Sequence, residues 1–282
     1  MKLYLNCTDN NITFNKKNYL LRAAKRLGMD DVVNYNGEEK PECVLNIEPF
    51  TEFVKGTTWT GVWEIDCLLD RVQMKLDDWI ASDMVFLANS FYPARMNAYQ
   101  GEKQFMFQAA DPVLHRRIAS IDQDFDFVFA GSAESGIYDK RIDAIVKLRA
   151  EKFTFKDYGK NHIPEEYVNF INSAKVQFIR SASNGSIGDS QIEQRFFECL
   201  AIGPVLKDYH PQLEHIGLEE GKDFYWYKTE SEMIEKMHYL IDNPDFAATM
   251  AANGRKKVLM YHTYEHRLIT LKQIINEHIQ AK

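Results

Sequence analysis

No apolar run in these 282 residues approaches the roughly 18 that a membrane-spanning helix needs, and the opening Met1-Lys2-Leu3-Tyr4-Leu5 turns polar at Asn6, too soon for a secretory leader. The expected setting is the cytoplasm. Cysteine is scarce: the four, at 7, 43, 67 and 199, form no Cys-x-x-Cys pair and stand in apolar contexts, which excludes a disulfide framework and argues for buried, reduced thiols. Neither G-x-G-x-x-G nor G-x-x-x-x-G-K-[ST] occurs, so neither the dinucleotide fingerprint nor a P-loop is present. Low-complexity tracts are missing too, and 45% hydrophobic with 13% aromatic content is that of a folded chain with apolar mass for two modest cores or one large one. Positive charge is in deficit: 34 Lys and Arg against 41 Asp and Glu leave a net charge of -7, which counts against a protein that meets nucleic acid with its whole surface.

What is present alternates as an α/β fold requires. Short strands are expected at 3–6, 44–47, 62–65, 84–88 and 105–108, with helices at 15–27, 68–80 and 92–100. A second set follows, with strands at 125–130, 153–155, 176–179, 204–206 and 224–227 and helices near 138–150, 165–173, 190–202 and 230–242. Two halves meeting near 111–123 are read as domains 1–115 and 123–260, followed by a last helix within 261–282. The first helix is basic: Lys2, Lys16, Lys17, Arg22, Lys25 and Arg26 face only Asp9 before Asp30, a face that suits an anionic partner or plain water.

The most informative stretch runs from Ser190 to Asp208. Ser190 with Glu193 has the spacing of a capping box, and Gly203-Pro204 reads as a left-handed cap followed by a helix breaker. At 100° per residue Ile192, Phe196, Cys199 and Leu200 share one face while Gln191, Arg195 and Glu198 line another, leaving one face to pack and one to bind. The apolar strand 176–179 and a small-residue loop precede this helix. Strand, loop and helix amino terminus together present backbone N–H groups to a phosphate, although the same order is ordinary in any α/β domain.

The ordered run of motifs is more specific than any one of them. Arg195-x-Phe197-Glu198-x-Leu200-Ala201-x-Gly203, then Leu206-x-Asp208, Gly221-Lys222 and His262-Thr263-Tyr264-Glu265-His266-Arg267 resemble the CgeB-like (spore-maturation type) glycosyltransferases, which are similar in turn to the GT-B class of nucleotide-sugar transferases. The likeness runs from about Phe125 to Ile275, with a weaker echo at Trp63-Glu64-Ile65-Asp66 and Ala109-Ala110-Asp111-Pro112. It implies a GT-B fold, two Rossmann-like domains facing each other across a cleft, with the last helix crossing back onto the first domain. It also implies transfer of a sugar from a nucleoside diphosphate sugar, UDP-sugar foremost, to an acceptor hydroxyl on a glycan or on a hydroxymethylated base in DNA, in a bacterial or virus-infected cell. No further cofactor is expected. An inactive nucleotide-sugar-binding module and a nucleotide-sugar epimerase are the alternatives.

The resemblance also assigns residues. Glu198 falls where the family's acid accepts from the donor's ribose hydroxyls; the plain alternative is a weak surface pair with Arg195. Gly131 and Ser132, after the strand 125–130, fall beside the donor phosphates; the family also places an arginine at Arg141 in the next helix, otherwise plain helix surface. The helix start Gly188, Asp189 and Ser190 faces the diphosphate or the sugar, or simply begins a helix, and Arg195 joins the nucleotide-sugar site. The better-known retaining enzymes carry an earlier glutamate about two helical turns before Glu198; that position falls near Ser190 here, so this carboxylate is absent. Arg180 is positioned to neutralise the leaving diphosphate or to form a structural ion pair. Asp66 is the candidate general base, or else a helix cap. His262 and His266 lack further ligands at metal spacing, and a metal-independent mechanism is expected.

Overall fold

The computed structural model describes residues 1–8, 16–48, 52–64, 76–88, 99–131, 133, 138–157, 164–181 and 192–282. The chain divides into two compact units, Met1–Gln108 with Tyr264–Lys282, and Ala109–Thr263. Each is built on a wholly parallel sheet, the arrangement that alternating strands and helices produce.

The first unit contains β1 (Leu3–Asn6), β2 (Val32–Asn34), β3 (Cys43–Ile47), β4 (Trp59–Glu64), β5 (Met84–Leu87) and β6 (Lys103–Phe105), in the spatial order β2-β1-β3-β4-β5-β6. Strands β3, β4 and β5 are buried along their whole length, as expected of parallel strands covered on both faces. Trp59 and Trp63 are fully buried on β4. Gly61 between them is obligatory, because a Cβ there would stand 2.2 Å from the Trp59 ring. The strand expected at 105–108 lies earlier, at β6. Arg267 takes the carbonyls of Phe107 (2.7 Å) and Gln108 (3.1 Å), so these groups are used by a guanidinium and not by a ladder. Burial pushes the Arg267 pKa down to about 10.

The last helix, Tyr264–Ala281, buries Tyr264, Leu268, Leu271 and Ile275. This stripe packs on the first helix, Lys16–Arg26, where the rings of Tyr19 and Tyr264 stack 5.0 Å apart. The basic face expected on the first helix is reduced by the same packing: Lys17 is 3% exposed and Arg26 pairs with Glu265.

The second unit contains β7 (Phe125–Phe129), β8 (Phe155–Asp157), β9 (Ala174–Ile179), β10 (Val205–Asp208) and β11 (Tyr225–Tyr227), in the order β11-β10-β9-β7-β8. Its core is aromatic: Phe127, Phe129 and Phe178 pack with Leu148, Met233 and Met237 of the flanking helices. β8 starts two residues later than expected, because Lys152 takes a left-handed turn (φ 68°) and Thr154 is tied through N and Oγ1 to Asp126. The helix Pro244–Tyr261 has no counterpart in the sequence reading. Asn253-Gly254 in its middle looks like a turn, but Gly254 serves close packing: a Cβ there would meet the Asp223 carbonyl oxygen at 2.5 Å.

Among the described residues no helix is long and apolar enough to cross a membrane. Cys7, Cys43 and Cys199 are buried free thiols, and burial pushes the Cys199 pKa to about 12 and that of Cys43 to about 11. Cys67 lies outside the described residues.

Candidate active site

In both sheets the first strand lies between the second and the third, so the chain leaves it in opposite directions. In open parallel sheets of this kind, ligands bind at the carboxyl ends of the strands beside that reversal. In the second unit the place is where β7 runs into Gly131 and β9 into Arg180-Ser181, next to the end of β10 at Asp208.

A buried charge network occupies the β9–β10 side. Arg180, 5% exposed, donates from Nη1 to Asp208 Oδ2 at 2.7 Å. Ser181 donates to Asp208 Oδ1 from both N and Oγ at 3.0 Å. Lys207, fully buried, donates from Nζ to Ser181 Oγ (2.7 Å), Glu193 Oε2 (2.9 Å) and Asp208 Oδ1 (3.1 Å). Burial opposes ionisation of Glu193 and Asp208, but the Lys207 charge, joined at Asp208 by Arg180, outweighs it and holds both below the ordinary carboxylate range.

This network corrects the expected capping box. The helix runs Gln194–Leu200 and not from Ser190, and Glu193 is its extended N-cap residue, its carboxylate turned to Lys207 and making no cap. Nor is Gly203 a left-handed cap. A Cβ there would lie 2.7 Å from Gln177 Oε1, so the glycine is needed for room.

On the β7 side two guanidinium groups meet. Arg141 donates from Nε to the Arg180 carbonyl at 2.8 Å and lies over the rings of Tyr138 (4.7 Å) and Phe129 (5.6 Å). Arg195 lies over the same Phe129 ring at 5.6 Å. Its Nη1 presses on Gly131, where a Cβ would stand 2.1 Å away, and this buried donor finds no acceptor among the described residues. Burial, then the neighbouring charge of Arg195, pushes the Arg141 pKa down to about 10.

Glu198 is 3% exposed, so it is neither on a free face nor in a surface pair with Arg195. Gln194 Nε2 donates to its Oε1, and His115 Nε2 stands 3.4 Å from the same oxygen. The backbone N–H of Asp111 donates to His115 Nδ1 at 3.0 Å. That leaves the imidazole proton on Nε2, facing Glu198. Tyr167 completes the setting, its ring edge-on to His115 and its phenol held well above the ordinary pKa by burial and then by Cys199 and Glu198. Composition gave no hint of His115, Tyr167 or Lys207; only Asp111-Pro112 and Leu206-x-Asp208 stood nearby as family motifs.

The structure thus brings Gly131, Arg141, Arg180 and Arg195 to one edge of the sheet, with Glu198 on the next turn of the helix. Asp66, Ser132, Gly188, Asp189 and Ser190 lie outside the described residues. His262 stacks on Phe197 at 5.0 Å with Nε2 3.0 Å from the Ile216 carbonyl, the position of a packing residue. The sequence also holds the run Asp122-x-Asp124-x-Asp126, whose spacing is that of an Asp-x-Asp metal pair. It stands at the amino end of β7, where Asp126 is taken by Thr154 and Lys175.

A family model described as glycosyl transferase-like matches residues 108–273, more than half of the chain. The chain belongs to this family. No curated protein sequence matches it significantly. Among solved structures, this glycosyltransferase is similar over its full length to AviGT4, a glycosyltransferase involved in avilamycin A biosynthesis (TM-score 0.64, 10% identity, 99% of that chain). It is likewise similar over its full length to a glycosyltransferase from Rickettsia africae (TM-score 0.62, 8% identity, 99% of that chain). HepE from Anabaena, in complex with UDP, matches all of both chains (TM-score 0.61, 11% identity). Of the longer TarM it spans 56%. Such identities speak for fold alone, and the fold is GT-B, with two Rossmann-like domains.

Proposed function

We propose that this glycosyltransferase moves a sugar from a UDP-sugar to an acceptor hydroxyl, as a member of the CgeB-like branch. The observation that carries the reading is the buried Arg195 Nη1, without an acceptor among the described residues and beside a second guanidinium, at the sheet edge where phosphates bind. Planar guanidinium groups suit a diphosphate, and their mutual repulsion in the free protein is relieved when the anion arrives. HepE and the pneumococcal O-GlcNAc transferase GtfA, a neighbour of similar fold, were both solved with UDP, which supports the choice of nucleotide.

In this reading Arg195 and Arg141 receive the diphosphate and stabilise its charge as the bond from the anomeric carbon to the phosphate oxygen breaks. Arg180, already matched by Asp208, holds Arg141 through its carbonyl and acts behind them. Glu198, held by Gln194 and His115, accepts from the ribose hydroxyls. The acceptor oxygen bonds to the anomeric carbon and gives its proton to Asp66 or, where configuration is retained, to the leaving phosphate. A glycan is the acceptor this reading favours over DNA, since a chain with a net charge of -7 is poorly matched to a polyanion. No metal ion is required, because the arginine pair supplies the positive charge.

Thermal unfolding with UDP, GDP, CDP and ADP, without added metal, tests the donor site. UDP at a hundredfold over its dissociation constant is expected to stabilise the chain by about 2.7 kcal/mol. A folded sample that no nucleotide stabilises would remove the assignment. For Asp66→Asn the expected result is an unchanged UDP shift and at least a hundredfold lower transfer rate; near-normal transfer would return Asp66 to helix capping.

A further inference from the structure

The second unit has a cavity at the opposite edge of its sheet, facing the amino ends of the strands. It has a volume of about 350 Å³ and lies between Gly203-Pro204, which lead into β10, and the helices Glu230–Asp242 and Pro244–Tyr261. Leu240, Ile241, Ile202 and Ala251 make an apolar wall, and the charged residues on its lining are Arg117, Lys175 and Arg255. No carboxylate lines it among the described residues. Lys175 is neutralised by Asp126 at 2.8 Å. The two arginines are not: Arg117 is bonded to Asn172 and the Ile121 carbonyl, Arg255 through Nη1 to the carbonyls of Ala201 and His115, and neither meets a carboxylate among the described residues. Arg116 stands near enough for its charge, after burial, to lower the Arg255 pKa, and no carboxylate among the described residues pairs with either lining arginine. The donor reading uses none of these residues, since nucleotides bind at the other ends of the strands.

We propose that this cavity binds a small amphiphilic anion, an apolar chain bearing one phosphate or carboxylate head. The volume falls in the range of small-molecule sites. The apolar wall takes the chain by ordinary burial, and the Nε and Nη2 donors of Arg255, which no bond among the described residues engages, take the head together with Arg117. A wholly apolar ligand would leave the arginines as they are, and an inorganic anion would leave the wall wet. The combination of the two selects the amphiphile.

Calorimetric titration of the full chain with decyl phosphate, below its micelle concentration, is the test. Saturable binding of one molecule per chain is expected, with decyl glucoside and inorganic phosphate each at least tenfold weaker. Arg255→Gln is expected to weaken it tenfold or more. Because Arg255 also ties two carbonyls, Ala251→Phe provides a second variant that fills the cavity without touching a cation, and it is expected to abolish binding while the thermal unfolding curve stays cooperative. Vesicles containing phosphatidate, run in parallel, separate a free amphiphile from a membrane headgroup. No binding of decyl phosphate, equal binding of decyl glucoside, full binding by Ala251→Phe, or binding confined to the vesicles would each overturn the proposal.

Discussion

Replacing Lys207 by methionine is expected to destabilise the folded chain by about 3–5 kcal/mol, the cost of stranding a buried charge. Lys207 is fully buried and holds Glu193, Asp208 and Ser181 at once. Asp208 would keep Arg180 and two donors from Ser181. Glu193 would keep no hydrogen bond: Oε2 has Lys207, and Oε1 already lacks a partner among the described residues. The pH dependence has a definite sign. In the wild type the depressed carboxylate pKa values give stability that is present above the unfolded values, about 4.3 for Glu193 and about 3.9 for Asp208, and is lost as pH falls through the lower folded ones. In Lys207→Met burial and the Asp208 charge outweigh the pull that Arg195 still exerts on Glu193, so its pKa rises above the unfolded value. The variant then loses stability as pH climbs through that raised value, and its deficit is larger at pH 8 than at pH 5. Urea denaturation at the two pH values measures this, and Lys207→Met with Glu193→Gln is expected to recover most of the loss. Equal deficits at both pH values would show that Glu193 escapes to water.

Strands were the most legible part of the fold, since parallel strands buried on both faces read as short apolar runs and β1, β3, β4, β5, β7, β9, β10 and β11 all fall within a few residues of expectation. Helices failed where glycine has a packing role, as at Gly254, and where a polar residue has a distant partner. Glu193 shows the second case. Three residues after a serine it has the spacing of a local cap, but what decides its direction is Lys207, fourteen residues away on another element. Lys207 itself looks in sequence like the polar member of an alternating strand, and only the acids gathered around it reveal that it is inside. The motif residues Gly131, Arg141 and Arg195 were reachable through the resemblance alone. Their shared contact with Phe129 and the orphaned Arg195 donor depend on how β7 and two helices come together, which no local pattern encodes.

Arg195→Ala is expected to weaken UDP binding about a hundredfold, close to 2.7 kcal/mol, the scale of a charge-assisted hydrogen bond made in a partly buried site. The same change leaves the free protein as stable as before or more so. It removes a buried donor that has no acceptor among the described residues, and a charge that works against Arg141 as well as for Glu193, which keeps Lys207. Loss of affinity with gain of stability is the pattern of a residue kept for a ligand, and a structural arginine would show the reverse. The ligand can be taken apart to localise the effect. Uridine, which has the ribose and no phosphate, is expected to bind Arg195→Ala as it binds the wild type. Glu198→Gln, which keeps the shape and removes the charge, is expected to lose about tenfold for UDP and uridine alike and to stop distinguishing UDP from its 2′-deoxy form. Titration calorimetry of the two variants against the three ligands separates the assignments, because each can fail without the other. UDP affinity within threefold of wild type in Arg195→Ala would take the diphosphate away from the β7 edge, and undiminished discrimination of the 2′-hydroxyl in Glu198→Gln would leave that carboxylate as a buried anchor for His115.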